Sequence, residues 1–236
     1  MKKCTFFLVL FLFAIGVQAQ RTVISDANVQ SRKVSGFNGI EVSGGIDLYL
    51  SQDDEEALAV SASTSDARDD IRTEVQNGIL KIWYKNSGRK WTSGNRKLRA
   101  YVAFKNLDQI KASGASDVII TGALKGEQLT IVLSGASDLK GDIQVNKLTI
   151  EQSGASDATL SGKVEELVLH TSGASEMDGY ALESETCTVK ASGASDVMIT
   201  VNKALHADAS GASSVKHRGK ASVRDIKTAG GGRVRS

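Results

Sequence analysis

The chain has 236 residues, with 29 Lys plus Arg against 27 Asp plus Glu, 41% hydrophobic residues, 23 glycines, two cysteines and no proline. That length is enough for one domain with a continuous core, and the near balance of charge excludes a surface dedicated to nucleic acid. One of the two cysteines lies at position 4, so a disulfide framework is excluded, and the lack of proline suits a fold whose backbone N–H groups pair across strands.

Met1 to Ala19 reads as a secretory signal: Lys2 and Lys3 lead, Phe6 to Val17 is apolar, and Val17-Gln18-Ala19 is a small-residue cleavage site. The apolar run is too short to span a membrane. Cys4 precedes that run and is no lipid-attachment site at a mature terminus. Removal of the leader leaves 27 basic against 27 acidic residues and Cys187 as the remaining cysteine. Residues 20–34 are polar, lack a clear period and read as an N-terminal linker or a first loose strand. Residues 35–236 are expected to form a single β-solenoid domain.

From Phe37 a strand pattern begins, with Ile40, the Ser43-Gly44 corner, Asp47 and the apolar run Leu48-Tyr49-Leu50. Ala57 to Ala62 and Ile71 to Tyr84 are further strand-like runs, separated by the charged stretch Ser65 to Asp70. Asn77-Gly78, flanked by alternating residues, is a hairpin signal and predicts antiparallel pairing in this part of the chain. Lys85 to Lys97 reads as a Gly-, Ser- and Lys/Arg-rich loop, and Leu98 to Phe104 as a strand.

One phrase then recurs six times: SGASD at 113–117, 134–138, 153–157 and 192–196, SGASE at 172–176 and SGASS at 210–214. The starts are 21, 19, 19, 20 and 18 residues apart, which defines a copied unit of variable length. Three residues before the first Ser stand Ile110, Ile131, Ile150, Leu169, Val189 and Ala207, and five residues before it stand Leu129, Leu148, Leu167, Cys187 and Leu205. The intervening positions are mostly polar, so a half-buried strand of period two leads into each corner. Apolar residues at +5 and often +7 start a second strand. Gly at the corner admits backbone angles closed to other residues. The expected fold is all-β, a parallel β-helix of coils of about 20 residues, with a more diverged, partly antiparallel N-terminal part. Phe37–Leu50 aligns without gaps on Leu107–Ile120, and Ala229-Gly230-Gly231-Gly232 reads as a degenerate seventh corner with Ile226 inward.

Gly44-Gly45-Ile46-Asp47 within Val-Ser-Gly-Gly-Ile-Asp-Leu-Tyr-Leu, followed by the repeated corners, resembles the putative auto-transporter adhesin head GIN domain family of secreted bacterial proteins. Asp47 stands where that family usually has Asn. The resemblance covers about residues 35 to 220. It implies a right-handed β-helix-like fold and an envelope location, in the periplasm, on the outer-membrane surface or outside the cell, and it supplies no catalytic residues.

Three constellations are candidates for chemistry. Asp47, Asp117, Asp138, Asp157, Glu176 and Asp196 form an outward acidic ladder with like charges about 5 Å apart, read as turn architecture and not as a metal site. Glu151, His170, Lys190, Asp208 and Lys227 form a second ladder, read as surface pairing between coils, and His206 and His217 have no evident carboxylate partner. The third is the basic aromatic segment: residues 81–105 hold eight basic residues and no acid. Its candidate binding residues are Trp83, Lys85, Arg89, Lys90, Trp91 and Arg96. It reads either as a surface for an anionic glycan or envelope component or as an aromatic cap on the open end of the solenoid. No nucleophile elbow, metal-ligand spacing or phosphate loop appears. The function expected is that of an exported, non-enzymatic, adhesin-like binding module without cofactor. Its partner would be a glycan or envelope surface component, with contact at most peripheral to a membrane and homo-oligomers formed through the solenoid ends. The alternatives are a polysaccharide-active β-helix enzyme and a purely structural solenoid.

Overall fold

A computed structural model describes residues 28–85 and 97–236, and within them regular structure is β-strand apart from one short helix. The N-terminal part contains β1 (Gln30–Arg32), β2 (Gly39–Ser43), β3 (Asp47–Gln52), β4 (Ala57–Ser61), α1 (Ser65–Asp69), β5 (Ile71–Gln76), β6 (Ile79–Tyr84), β7 (Arg99–Phe104) and β8 (Gln109–Ala112). The array contributes the long, bent strands β9 (Val118–Leu133), β10 (Asp138–Gln152), β11 (Asp157–Thr171), β12 (Glu176–Ala191) and β13 (Asp196–Ala209). Three short strands close it: β14 (Ser214–Arg218), β15 (Val223–Thr228) and β16 (Arg233–Arg235).

Each array strand pairs in parallel with the equivalent strand one copy away, so Ile131, Ile150, Leu169, Val189 and Ala207 stand over one another in a buried ladder. Leu129, Leu148, Leu167, Cys187 and Leu205 make the adjacent ladder, also buried. Burial of each large aliphatic side chain contributes about 1.5–3 kcal/mol. Cys187 is a small hydrophobe in this column, and burial pushes its thiol up to about 12.

The corners are stitched as tightly as the strands. From Ala136 onward the N–H of each corner Ala donates to the carbonyl of the corner Gly one coil back, as Ala155 does to Gly135 at 2.8 Å and Ala174 to Gly154 at 2.7 Å. Gly154 has φ +81°, and a Cβ there would lie 2.5 Å from the Gly135 carbonyl oxygen. Glycine is therefore required twice, by conformation and by the approach of the next coil. The second Ser of the phrase points inward: Ser116, Ser137, Ser156, Ser175, Ser195 and Ser213 are buried. From Ser137 onward their hydroxyls donate to the carbonyl three residues back, as in Ser175 to Ser172 at 2.9 Å and Ser195 to Ser192 at 2.9 Å, while Ser116 Oγ accepts from the Ile46 N–H at 3.3 Å. Period two from the strand does not carry through the turn, which is why a small polar residue is found inside.

The N-terminal part stacks out of sequence order. Strands β2 and β3 lie between two later pieces, with β6 and β7 on one side and β8 and β9 on the other. The registers Ile40 with Ile110 and Leu48 with Val118 are those of the gapless sequence alignment. Asn77 and Gly78, with φ 53° and 76°, turn the antiparallel β5–β6 hairpin. Outermost, β1 covers β4 antiparallel, and the Arg32 guanidinium reaches across the end of the stack to the Ile71 carbonyl at 2.6 Å and Thr73 Oγ1 at 3.2 Å.

At the far end Ala229–Gly232 forms the expected corner, with Gly231 N–H donating to Gly211 O at 2.7 Å. Ile226 keeps the register of the inward ladder, opposite Ala207, yet is 43% exposed because no further strand covers β15 among the described residues.

Two outcomes are expected in thermal melts. Ile150→Asp places an unpaired carboxylate in the central ladder and abolishes cooperative folding, at a cost of several kcal/mol, whereas exposed Glu151→Ala stays within about 0.5 kcal/mol of the parent. Gly154→Ala lowers stability by at least about 1–3 kcal/mol from backbone strain alone, and parent-like melting of that variant would refute the stacked-corner geometry.

Candidate functional site

A groove of about 570 Å³ runs along the stack beside the corners of the array. Its polar lining comes from two positions of the repeat. The residue two before the first Ser faces outward on its strand and gives Glu151, His170, Lys190 and Asp208. The first Ser gives Ser153, Ser172, Ser192 and Ser210. The chain turns sharply at the next residue, so strand face and corner form two walls. Pairing registers Glu151, His170, Lys190 and Asp208 in sequence, one coil apart, which is about 4.8 Å per step. Val132 precedes Glu151 in the outward row, and the floor is made by the buried residues next to that row, Gln152, Thr171 and Ala191. Gln152 is buried, and its amide donates to the carbonyls of Ser156 at 3.1 Å and Glu176 at 2.9 Å. The Thr171 hydroxyl donates to Ser195 Oγ at 3.1 Å. These bonds fix the floor beneath the groove.

The acidic ladder lies on the other side of the corners. Asp138, Asp157, Glu176 and Asp196 are registered in a row and point outward. Asp47 and Asp117 extend the row, since the residues that follow these acids are paired in turn, Leu48 with Val118 and Val118 with Leu139. The row is bounded by cations: Arg99 pairs with Asp47 at one end, and Arg233 pairs with Ser214 at the other. Burial, then Asp117 and Asp157, hold the Asp138 carboxyl above the usual aspartate range against the pull of Lys140 and a backbone hydrogen bond from Asp157. Burial and then Asp117 do the same for Asp47, opposed by Arg99. Backbone donors offset part of the repulsion, as Glu176 N–H does to Asp157 Oδ1 at 3.2 Å. Among the described residues no group of three or more His, Cys, Asp or Glu is arranged to hold a metal ion.

Of the basic aromatic segment, the described parts are the end of β6, Lys85, and the stretch from Lys97 into β7. Trp83 is half-buried on β6, between Ser43 of β2 and Arg72 of β5. Lys85 is exposed, and its N–H donates to the Asp70 carbonyl at 2.9 Å. Tyr84 stands against the first corner, where a Cβ on Gly44 would lie 3.1 Å from Tyr84 Cβ. Arg89, Lys90, Trp91 and Arg96 lie outside the described residues.

Other contacts escaped the sequence reading. His206 Nδ1 is 2.8 Å from Asp225 Oδ2, so this histidine does have a carboxylate partner, brought by the pairing of β15 with β13. Tyr49 and Tyr101 stack at 5.0 Å between ring centroids because β3 pairs with β7. Arg218 lies over the Tyr180 ring at 4.5 Å. Burial and then Arg224 lower the pKa of His217.

The family model for the putative auto-transporter adhesin, head GIN domain, matches residues 36–235. The chain belongs to this family. Among solved structures it is similar to a putative adhesin from Bacteroides fragilis, with 21% identity, TM-score 0.79, and 88% of this chain and 95% of that one covered. It is also similar to a putative lipid binding protein from Parabacteroides distasonis, with 19% identity, TM-score 0.64 and 89% and 97% covered. A putative adhesin from Parabacteroides merdae shows 19% identity, TM-score 0.61 and 88% and 95% covered. At these identities the likeness shows the shared fold. No curated protein matches.

The raised carboxyls give a pH signature. A group whose folded pKa lies above its unfolded value binds more protons when folded, so it lowers stability at neutral pH and that loss is relieved as pH falls towards the ordinary aspartate value. Asp138→Asn is therefore expected to raise Tm at pH 7, with the gain over the parent vanishing below about pH 4. Melting curves across pH check this, and a variant less stable than the parent at pH 7 would contradict it.

Proposed function

We propose that this protein is an exported, non-enzymatic, adhesin-like module of the bacterial envelope that holds an extended glycan chain along its groove. The observation that carries the reading is the repetition: one polar or charged side chain from each of four coils, with one serine hydroxyl from each, lines a single groove. A polymer with a regular spacing of hydroxyl groups matches a wall with a regular spacing of donors and acceptors. Membership of the adhesin-head family and the resemblance to structures named as adhesins support a binding role at the cell surface. The leader at Met1 to Ala19 supports export. Trp83 and Lys85, with Arg89, Lys90, Trp91 and Arg96, are assigned as a second contact for anionic groups of the same ligand.

Carboxylate spacing favours binding over hydrolysis. Glu151 and Asp208 are three coils apart along the groove, about 14 Å at 4.8 Å per coil. Paired-carboxylate glycosidases place their acids about 5–9.5 Å apart.

A glycan array probed with the purified protein tests the proposal. Binding to extended polysaccharides is expected, with Lys190→Glu weakening it about 10- to 100-fold through loss of one charge-assisted contact and leaving Tm unchanged. Trp83→Ala is expected to weaken binding to acidic glycans through loss of stacking, and high salt to weaken the parent's binding through its cations. An array without hits, or a Lys190→Glu variant that binds as the parent does, refutes the groove as the site.

A further inference from the structure

We propose that the two ends of the solenoid dock head to tail, the open basic end of one copy seating on the capped acidic end of a second copy. The ends differ in construction. At the first end, β1, β4 and β5 run antiparallel to their neighbours, and Arg32 bridges the two faces. At the other end, β15 pairs only with β13 and β16 only with β14 among the described residues, and Ile226 is exposed. A strand with one unpaired edge presents N–H and C=O groups to any neighbour.

The ends also differ in charge. Residues 53–70 hold seven acids and one base, and residues 216–236 hold seven bases and one acid. Strand register puts these opposites in the same columns of the stack. In the corner column, α1 with Asp66 and Asp69, the latter also 2.8 Å from Arg68 Nη2, joins β4 to β5 at one end, fixed by Ser61 opposite Arg99 and Ile71 opposite Tyr84. Arg233 closes that column at the other end, opposite Ser214. In the column at the far end of β3, exposed Asp53 and Asp54 follow Gln52, while exposed Lys220 lies at the other end of the same column, beyond Arg218, whose guanidinium turns back onto Tyr180. Translation of one copy along the stack brings acid to base in both columns.

Protection of a sheet edge against pairing calls for charge of either sign. It does not call for opposite signs at opposite ends in two shared columns. Tail-to-tail pairing would instead set base against base. A head-to-tail contact leaves one end of each type unused, so it propagates into a filament and does not close as a dimer.

The test is sedimentation velocity of the purified protein at rising concentration. Mass is expected to grow with concentration at about 20 mM salt and to return to the monomer at about 0.5 M. Arg233→Glu with Arg235→Glu reverses the tail, and Asp66→Lys with Asp69→Lys reverses the head. Each double variant alone is expected to stay monomeric, and their equimolar mixture to associate. A second pair, Lys220→Glu and Asp53→Lys with Asp54→Lys, gives the same readout in the other column should a first-pair variant fail to fold. A parent protein that is monomeric at about 200 µM in low salt overturns the proposal on its own. So does a mixture of folded variants that remains monomeric, which would assign the basic end to an acidic partner other than this chain.

Discussion

The array depends on one backbone contact, the hydrogen bond that each corner Ala from Ala136 onward donates to the Gly carbonyl of the preceding coil. It brings the chains so close that a methyl group cannot be admitted. The left-handed glycine, the inward serine that holds the turn through a carbonyl three residues back, and the outward acid all follow from packing identical corners at the spacing of a sheet. Strand ladders contribute the apolar burial, but it is the corner that keeps successive coils in register, since a slip would put Cβ atoms where glycines stand.

Identical stacking has an electrostatic consequence. A corner with one acid becomes a row of acids, and its repulsion is offset by backbone donors and, at the Asp47 end, by Arg99. On the opposite side of the same corners the sequence breaks its own monotony: Glu151, His170, Lys190 and Asp208 differ in charge while the serines beside them do not change. Architecture and variation are thus separated across a single turn, and the groove lies on the varied side.

Much of this was legible in the residues. Period two before each corner gave the inward ladders, Asn77-Gly78 gave the hairpin, and the alignment of Phe37–Leu50 with Leu107–Ile120 gave a register that the strands adopt. What sequence reasoning lacked was the order of stacking. Nothing local says that β6 and β7 pass to the outer side of β2 and β3, so the Tyr49–Tyr101 stack was not foreseen. The His206–Asp225 pair joins neighbouring coils through the same kind of long-range pairing. The inward serine and the buried Gln152 and Thr171 were hidden for another reason: polar residues are tolerated there because neighbouring coils and corners supply their partners. Of the proposed contact residues, Trp83 and Lys85 sit where an outward strand face and a corner place them.

The out-of-order insertion of β2 and β3 gives the molecule a mechanical polarity. From Ser236 inward, each coil is held by the one before it, and tension applied there peels the array one coil at a time. Tension applied near Gln30 meets a different object, because β2 and β3 are clamped between strands on both sides and Arg32 ties β1 across to β5. There β1 is an edge strand on β4, but β2 and β3 after it can leave only by breaking pairings on two sides at once, so the front of the molecule resists extension more than the back.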